Sequence, residues 1–188
     1  MGIESTLVLV KPDGVQRGLI GEVIKRFEQV GLKVTAMKMV LPSKALAEKH
    51  YPLEKEWYEP LWKKTKENYE SKGIPFKETA IETGTRVRNG LVEGLISGPV
   101  VAMVVEGNYA IPIVRKIVGA TAPEKADPSS IRGMFSTDSY DLADKGKRAV
   151  RNIVHASDLP DTAKKEIAVW FTKGEIHNYK RADENIVN

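Results

Sequence analysis

From Val100 to Val105 the chain reads Val-Val-Ala-Met-Val-Val, six apolar residues without a polar interruption, opened by Gly98-Pro99. The run is too short to cross a membrane. As a strand it presents apolar side chains to both faces, so it belongs inside a sheet that is covered on at least one face. A second β-rich run, Glu4 to Lys11, is stopped by the turn residues Pro12-Asp13-Gly14. Ile20, Val23, Ile24 and Phe27 then recur at helical spacing, with Gly31 as the stop. Leu32, Val34 and Ala36 alternate with Lys33 and Thr35 and predict a second strand that fades towards Pro42. Ser43 is placed to cap a short helix running to His50.

After the Val100 run, Asn108 is the expected cap of a helix that packs through Ile113, Val114 and Ile117. Residues 119–147 read as a long irregular loop, and Val150 to His155 as a fourth strand. Ser157 or Asp158 is the expected cap of a last helix carrying Ala163, Ile167, Trp170 and Phe171. The order is that of an α+β split βαβ fold, an antiparallel sheet with helices on one face. Leu53 to Thr85 stands apart: it is charged and aromatic, and predicts one or two surface helices with Trp57, Leu61 and Trp62 facing inward. With 188 residues, 41% of them hydrophobic, the expectation is a single domain over 1–188 with an insertion at about 53–85.

Charge and composition then narrow the chemistry. Lys plus Arg is 29 and Asp plus Glu is 25, a net +4, which suits an anionic ligand but lacks the dense basic clustering of a nucleic-acid binder. There is no Cys, which excludes disulfides, thiolate nucleophiles and Cys-based zinc sites and fits a reducing, cytoplasmic setting. No GxxxxGK[ST], GxGxxG, GxSxG or HExxH occurs. What remains is a distributed set: Lys11 at a strand end, Arg115 on a helix, Thr121 and Arg132 in the long loop, Asn152 and His155 on a strand, then Ser157 and Glu166. A Lys and two Arg brought to one point would clamp a polyanion. A neutral imidazole beside them could act as nucleophile, its other nitrogen held by a carboxylate. Taken singly, each residue has an ordinary reading as solvated charge, turn residue or helix cap.

Four ordered blocks carry a resemblance. They are Thr6-Leu7-Val8-Leu9-Val10-Lys11-Pro12-Asp13-Gly14-Val15, Gly98 to Met103, Ser130-Ile131-Arg132-Gly133, and Arg151-Asn152-Ile153-Val154-His155-Ala156-Ser157-Asp158. Together they resemble nucleoside diphosphate kinases, the last block matching that family's signature around its phosphorylated histidine. The resemblance implies a ferredoxin-like domain, usually a hexamer, that exchanges γ-phosphates between nucleoside tri- and diphosphates in two steps with Mg²⁺ on the nucleotide phosphates. By the same resemblance His155 is the nucleophile, Glu166 holds its ring, and Ser157 lies beside both. Lys11, Tyr51, Arg115, Thr121, Arg132 and Asn152 match positions that contact phosphates or sugar.

The chain departs from the usual family form in two places. The stretch between Tyr51 and Gly98 is longer, and alignment back from Gly98 puts Val87 where an aromatic ordinarily stacks on the base. Either Val87 offers aliphatic contact alone, or Trp57, Trp62 or Phe76 substitutes. A second extension covers about Ser136 to Arg148. The competing reading is an inactive relative that binds nucleotides or nucleic acid, with Trp62-Lys63-Lys64-Thr65-Lys66 as its basic patch. It would need the cations but not the His155–Glu166 pair.

Overall fold

The computed structural model describes residues 2–184, so residue 1 and residues 185–188 of the expected 1–188 domain lie outside the described residues. β1 (Ile3–Val10), β2 (Lys33–Val40), β3 (Val100–Asn108) and β4 (Val154–Ala156) form one antiparallel sheet in the order β2-β3-β1-β4. β3 pairs with both β1 and β2, as its apolar run requires.

The sheet is covered on both faces, not one. On the first, Val8, Val10, Val101, Met103 and Val105 pack under Val23 and Phe27 of α2 (Ile20–Gln29) and Val114 and Val118 of α6 (Ala110–Val118). On the second, Leu7, Leu9, Ala102 and Val104 pack under Ala47 of α3 (Lys44–His50) and Val92 and Leu95 of α5 (Ala80–Ile96). Trp170, at the end of α9 (Pro160–Trp170), joins them. The cause is β1 and β3 themselves: both are apolar at successive positions, so each residue parity needs its own cover. Phe27 is fully buried, and such a ring is worth about 1.5–3 kcal/mol relative to exposure.

Several local expectations change. In β2, Lys33 and Thr35 are buried because the chain after α9 crosses them: Lys33 Nζ donates to Tyr179 O at 3.0 Å and pairs with Glu106 at 2.9 Å, and Thr35 O accepts the His177 amide at 2.8 Å. Ser43 does cap α3, accepting from the Leu46 amide at 3.1 Å. Asn108 is the last residue of β3, and Tyr109, at φ 50°, is the N-cap of α6. Residues 119–147 are built rather than irregular: a 3₁₀ turn at Pro123–Lys125, α7 (Ile131–Phe135) and α8 (Tyr140–Lys145). β4 has three residues, and Ile153 before it has φ 70°. Leu159, not Ser157 or Asp158, is the N-cap of α9.

The segment expected as an insertion forms α4 (Lys55–Ser71) and the start of α5, packed as a helical hairpin. Trp57, Leu61 and Trp62 are half-buried. α5 runs unbroken from the hairpin to the turn before β3. No helix among the described residues is long and apolar enough to cross a membrane.

Candidate active site

His155 is the middle residue of β4, paired with Leu9, so its side chain lies on the face covered by α3, α5 and α9. α9 places Glu166 eleven residues on against the ring: both carboxylate oxygens lie 3.0 Å from His155 Nε2. Ser157 Oγ donates to Glu166 Oε2 at 2.6 Å. That bond takes the hydroxyl expected as a helix cap. Burial pushes the Glu166 carboxyl up, but the hydrogen bond and charge of His155, aided by Ser157, outweigh it and hold the group below the usual carboxylate range. Glu166 is therefore ionised at neutral pH and fixes hydrogen on Nε2. Nδ1 makes no hydrogen bond among the described residues, and the side chain is 22% exposed.

Three cations gather around this strand. Arg132 is 3% exposed and gives its Nη2 to Val154 O at 2.7 Å, its Nη1 to Gly119 O at 2.9 Å and its Nε to Asn152 O at 3.3 Å. Arg115 Nη1 reaches Ala156 O at 3.3 Å. The two guanidiniums thus bond the carbonyls on either side of His155. Burial, then the neighbouring Arg115, lowers the Arg132 pKa to about 10. Lys11 follows β1 directly; its amide donates to Ile153 O at 2.8 Å and its ammonium to Val150 O at 3.2 Å. Burial lowers the Lys11 pKa to about 8, against the opposing pull of Asp13. Among the described residues, none of the three makes an ion pair with a carboxylate within 4.0 Å.

The turn that joins these groups is tightly drawn. Asp13 Oδ2 accepts the Ile153 amide at 2.9 Å. A Cβ on Gly14 would lie 2.9 Å from both Ile153 Cγ2 and Val10 Cγ1, so only glycine lets α1 (Pro12–Gln16) approach. Asn152 is buried and donates from Nδ2 to Thr121 O at 2.7 Å, tying the exposed Thr121 to β4. Tyr51 presents its ring at 90° to His155, centroids 6.2 Å apart. Burial, then Glu166, pushes its phenol pKa up. Val87 is half-buried on α5 beside Arg88, which donates to Tyr51 O at 2.7 Å. Of the aromatics that could replace it, Trp62 donates to Glu78 O at 2.8 Å and Phe76 packs on Tyr69 at 5.1 Å between centroids. Those two rings are used inside the hairpin.

Sequence reasoning missed His50. Its ring packs edge-on to His155 at 4.5 Å, Trp170 Nε1 donates to its Nδ1 at 3.3 Å, and Nδ1 lies 3.9 Å from Glu166 Oε1. Burial, then the neighbouring His155, lowers its pKa to about 3, so it is neutral and does not compete for the carboxylate. With Nδ1 accepting from an indole, the hydrogen sits on Nε2, which is buried without a partner among the described residues. The available signal was its place at a helix end directly before Tyr51.

A family description, nucleoside diphosphate kinase, matches residues 4–82 and 79–176. The chain belongs to the nucleoside diphosphate kinase family. It is 45% identical over 181 residues to the nucleoside diphosphate kinase of Pyrobaculum aerophilum, covering 94% of this chain and 99% of that one. The enzyme of Archaeoglobus fulgidus is 44% identical over 183 residues, covering 97% and 96%. Among solved structures, an NDP kinase from Pyrobaculum aerophilum superposes with a TM-score of 0.90 at 43% identity, covering 94% of this chain and all of that one. A transition-state mimic of the Borrelia burgdorferi nucleoside-diphosphate kinase, with bound vanadate and ADP, gives 0.80 at 40% identity, covering 97% and 95%. The ferredoxin-like α+β fold is therefore the family's.

Proposed function

We propose that this protein moves the γ-phosphate of a nucleoside triphosphate to a nucleoside diphosphate in two separable steps, through a phosphohistidine at His155. The observation that carries this reading is one arrangement. Lys11, Arg115 and Arg132, none ion-paired among the described residues, are bonded to the strand that holds a histidine whose Nε2 is pinned by an ionised, buried carboxylate. Cations left without carboxylates in a protein interior repel one another, and a polyanion relieves that repulsion.

In the first step the lone pair of His155 Nδ1 forms a bond to the γ-phosphorus while the bond from phosphorus to the β,γ-bridging oxygen breaks. The diphosphate leaves with that electron pair. The ring becomes cationic with Nε2–H still donated to Glu166, so charge develops against a carboxylate already in place. A terminal oxygen of the second diphosphate then attacks phosphorus and the N–P bond breaks. Lys11, Arg115 and Arg132 hold the transferring and leaving oxygens, Thr121 and Asn152 border the phosphates and sugar, and Tyr51 and Val87 border the nucleoside.

Mg²⁺ fits this reading as part of the incoming nucleotide, where it neutralises charge on the outer phosphates. Among the described residues, His50, His155 and Glu166 are the group with metal-ligand spacing, and the Glu166 oxygens already serve His155 and Ser157. A homo-oligomer, a hexamer by family resemblance, and a cytoplasmic setting complete the proposal.

The test is incubation with γ-labelled nucleoside triphosphate and Mg²⁺. The chain should take up acid-labile, base-stable label and release it to a second diphosphate, with ping-pong kinetics. A purely binding relative would take up none. Sequential kinetics with undiminished transfer in His155→Ala would overturn the mechanism.

A further inference from the structure

Asp138 lies in the second extension, thirteen residues before Arg151, and no reading above gives it a task. It is half-buried, its side chain 10% exposed. One oxygen receives Arg148 Nη1 at 2.6 Å, the other Arg148 Nη2 at 3.0 Å, a two-pronged ion pair. The Oδ2 oxygen also accepts the Arg151 amide at 2.7 Å. One carboxylate therefore grips the side chain at 148 and the backbone at 151, with Val150 between them. Ser136 reinforces the bracket by donating from Oγ to Arg151 O at 2.7 Å. The Val150 carbonyl is the group that receives the Lys11 ammonium at 3.2 Å. From the other side, α8 stands on the insertion hairpin through Lys72–Asp141 at 2.7 Å and Tyr69–Asp144 at 3.3 Å. The second extension thus touches the hairpin through α8 and grips residues 148–151 through Asp138.

We propose that Asp138 is a positioning residue for phosphoryl transfer: by gripping Arg148 and the Arg151 amide it fixes the Val150 carbonyl, and through it the place of the Lys11 ammonium. This rests on the reading of Lys11 as a phosphate-holding cation. Without the bracket, residues 148–151 would be held by exposed contacts, which restrain weakly, and Lys11 would sample several positions. A long flexible ammonium loses most of its value to a transition state when it is not held in one place. The charge also matters, because Lys11 is faced by Asp13 from α1, Arg132 from α7 and Asp138 from this segment, and the two carboxylates favour its protonated form.

The experiment is a double-mutant cycle of Asp138→Asn with Lys11→Met, read as the single-turnover rate of phosphoenzyme formation. Asparagine keeps the size and one acceptor oxygen, but it removes the charge and turns an N–H₂ towards Arg148 Nη2, so the two-pronged grip on the guanidinium is lost. Asp138→Asn should slow the wild-type chain about tenfold and the Lys11→Met chain less than about twofold, because the group it positions is already gone. It should also move the alkaline limb of the rate profile to lower pH, which a loss of fold stability alone would not do. The same loss in both backgrounds within twofold, no loss in either, or an unmoved alkaline limb overturns the proposal. Should Asp138→Asn fail to fold, Arg148→Met removes one arm of the bracket and the cycle alone decides. If Lys11→Met costs nothing by itself, the reading of Lys11 has failed and the role given to Asp138 falls with it, whereas a costly Lys11→Met with equal losses in the cycle overturns the role of Asp138 alone.

Discussion

The wall around His155 and the α4–α5 hairpin are held by opposite means. Around His155, Glu166, Ser157, Asn152, His50 and Arg132 are all buried, and among the described residues His50 Nε2 is the one fully buried side-chain atom of these without a partner. In α4 no residue is fully buried, and its ion pairs, such as Lys55–Glu59 and Lys66–Glu70, lie at the surface. Buried hydrogen bonds hold strongly because breaking one strands a polar group away from water, whereas an exposed pair exchanges its partner for solvent. Substitutions in the first region should therefore be costly and specific, and those in the second nearly silent.

The sharpest break is His155→Ala, which should lower transfer by on the order of 10⁴-fold or more, since a methyl group cannot attack phosphorus. Binding of nucleoside diphosphate, followed by calorimetry, should stay close to wild type. Next is Arg132→Ala, which removes the donor to three buried carbonyls and should cost about 3 kcal/mol of stability besides its effect on rate. A urea midpoint unchanged from wild type would show that the guanidinium is not built into the scaffold. Glu166→Gln keeps the size but loses the charge facing the ring, and should cost about 1.5–3 kcal/mol in kcat, roughly tenfold to a hundredfold. An equal loss confined to KM would place the carboxylate's role in binding.

The pH dependence sharpens the comparison further. Lys11 titrates at about 8 in the folded chain against an ordinary 10.5. As pH rises through 8 the ammonium discharges, so kcat/KM should fall about tenfold per unit beyond it. Between 8 and 10.5 the unfolded chain holds the extra proton, so this group makes stability rise with pH there, and Lys11→Met should remove that rise. The smallest effect belongs to the hairpin: Lys72→Met, which breaks the exposed pair with Asp141, should move the thermal midpoint by no more than about a degree.

What the sequence made legible follows the same division. The Phe27 face of α2, the Ser43 cap and the buried Trp170 could all be read, because spacing and residue type decide them locally. Ordered motifs, rather than periodicity, brought Lys11, Arg132 and His155 together, since contacts across more than a hundred residues leave no local trace. Ser157 as a helix cap failed, because a hydroxyl before a helix looks the same whether it caps the helix or binds a distant carboxylate; the resemblance put it beside Glu166, where it lies. Lys33 and Thr35 are buried by Tyr179 and the His177 backbone, contacts from far along the chain that leave no local trace. Thr79 and Glu82 did carry a capping box that marks the start of α5, a local signal open to reading. Asp138 had no signal of its own, and His50 only its place at a helix end directly before Tyr51; both are ordinary until the fold closes around them.

The pairing of β4 with β1 also sets an order in time. Leu9 is made long before His155, yet they are opposite one another in the sheet. Until residues 154–156 leave the ribosome, one edge of β1 has no partner strand, and its fully apolar stretch from Leu7 to Val10 lies beside that open edge. No N-terminal fragment can hold the nucleophile against its carboxylate. The nascent chain must therefore shelter an aggregation-prone strand edge from the making of β1 until that of β4, and it gains its chemistry only when β4 and α9 close the sheet.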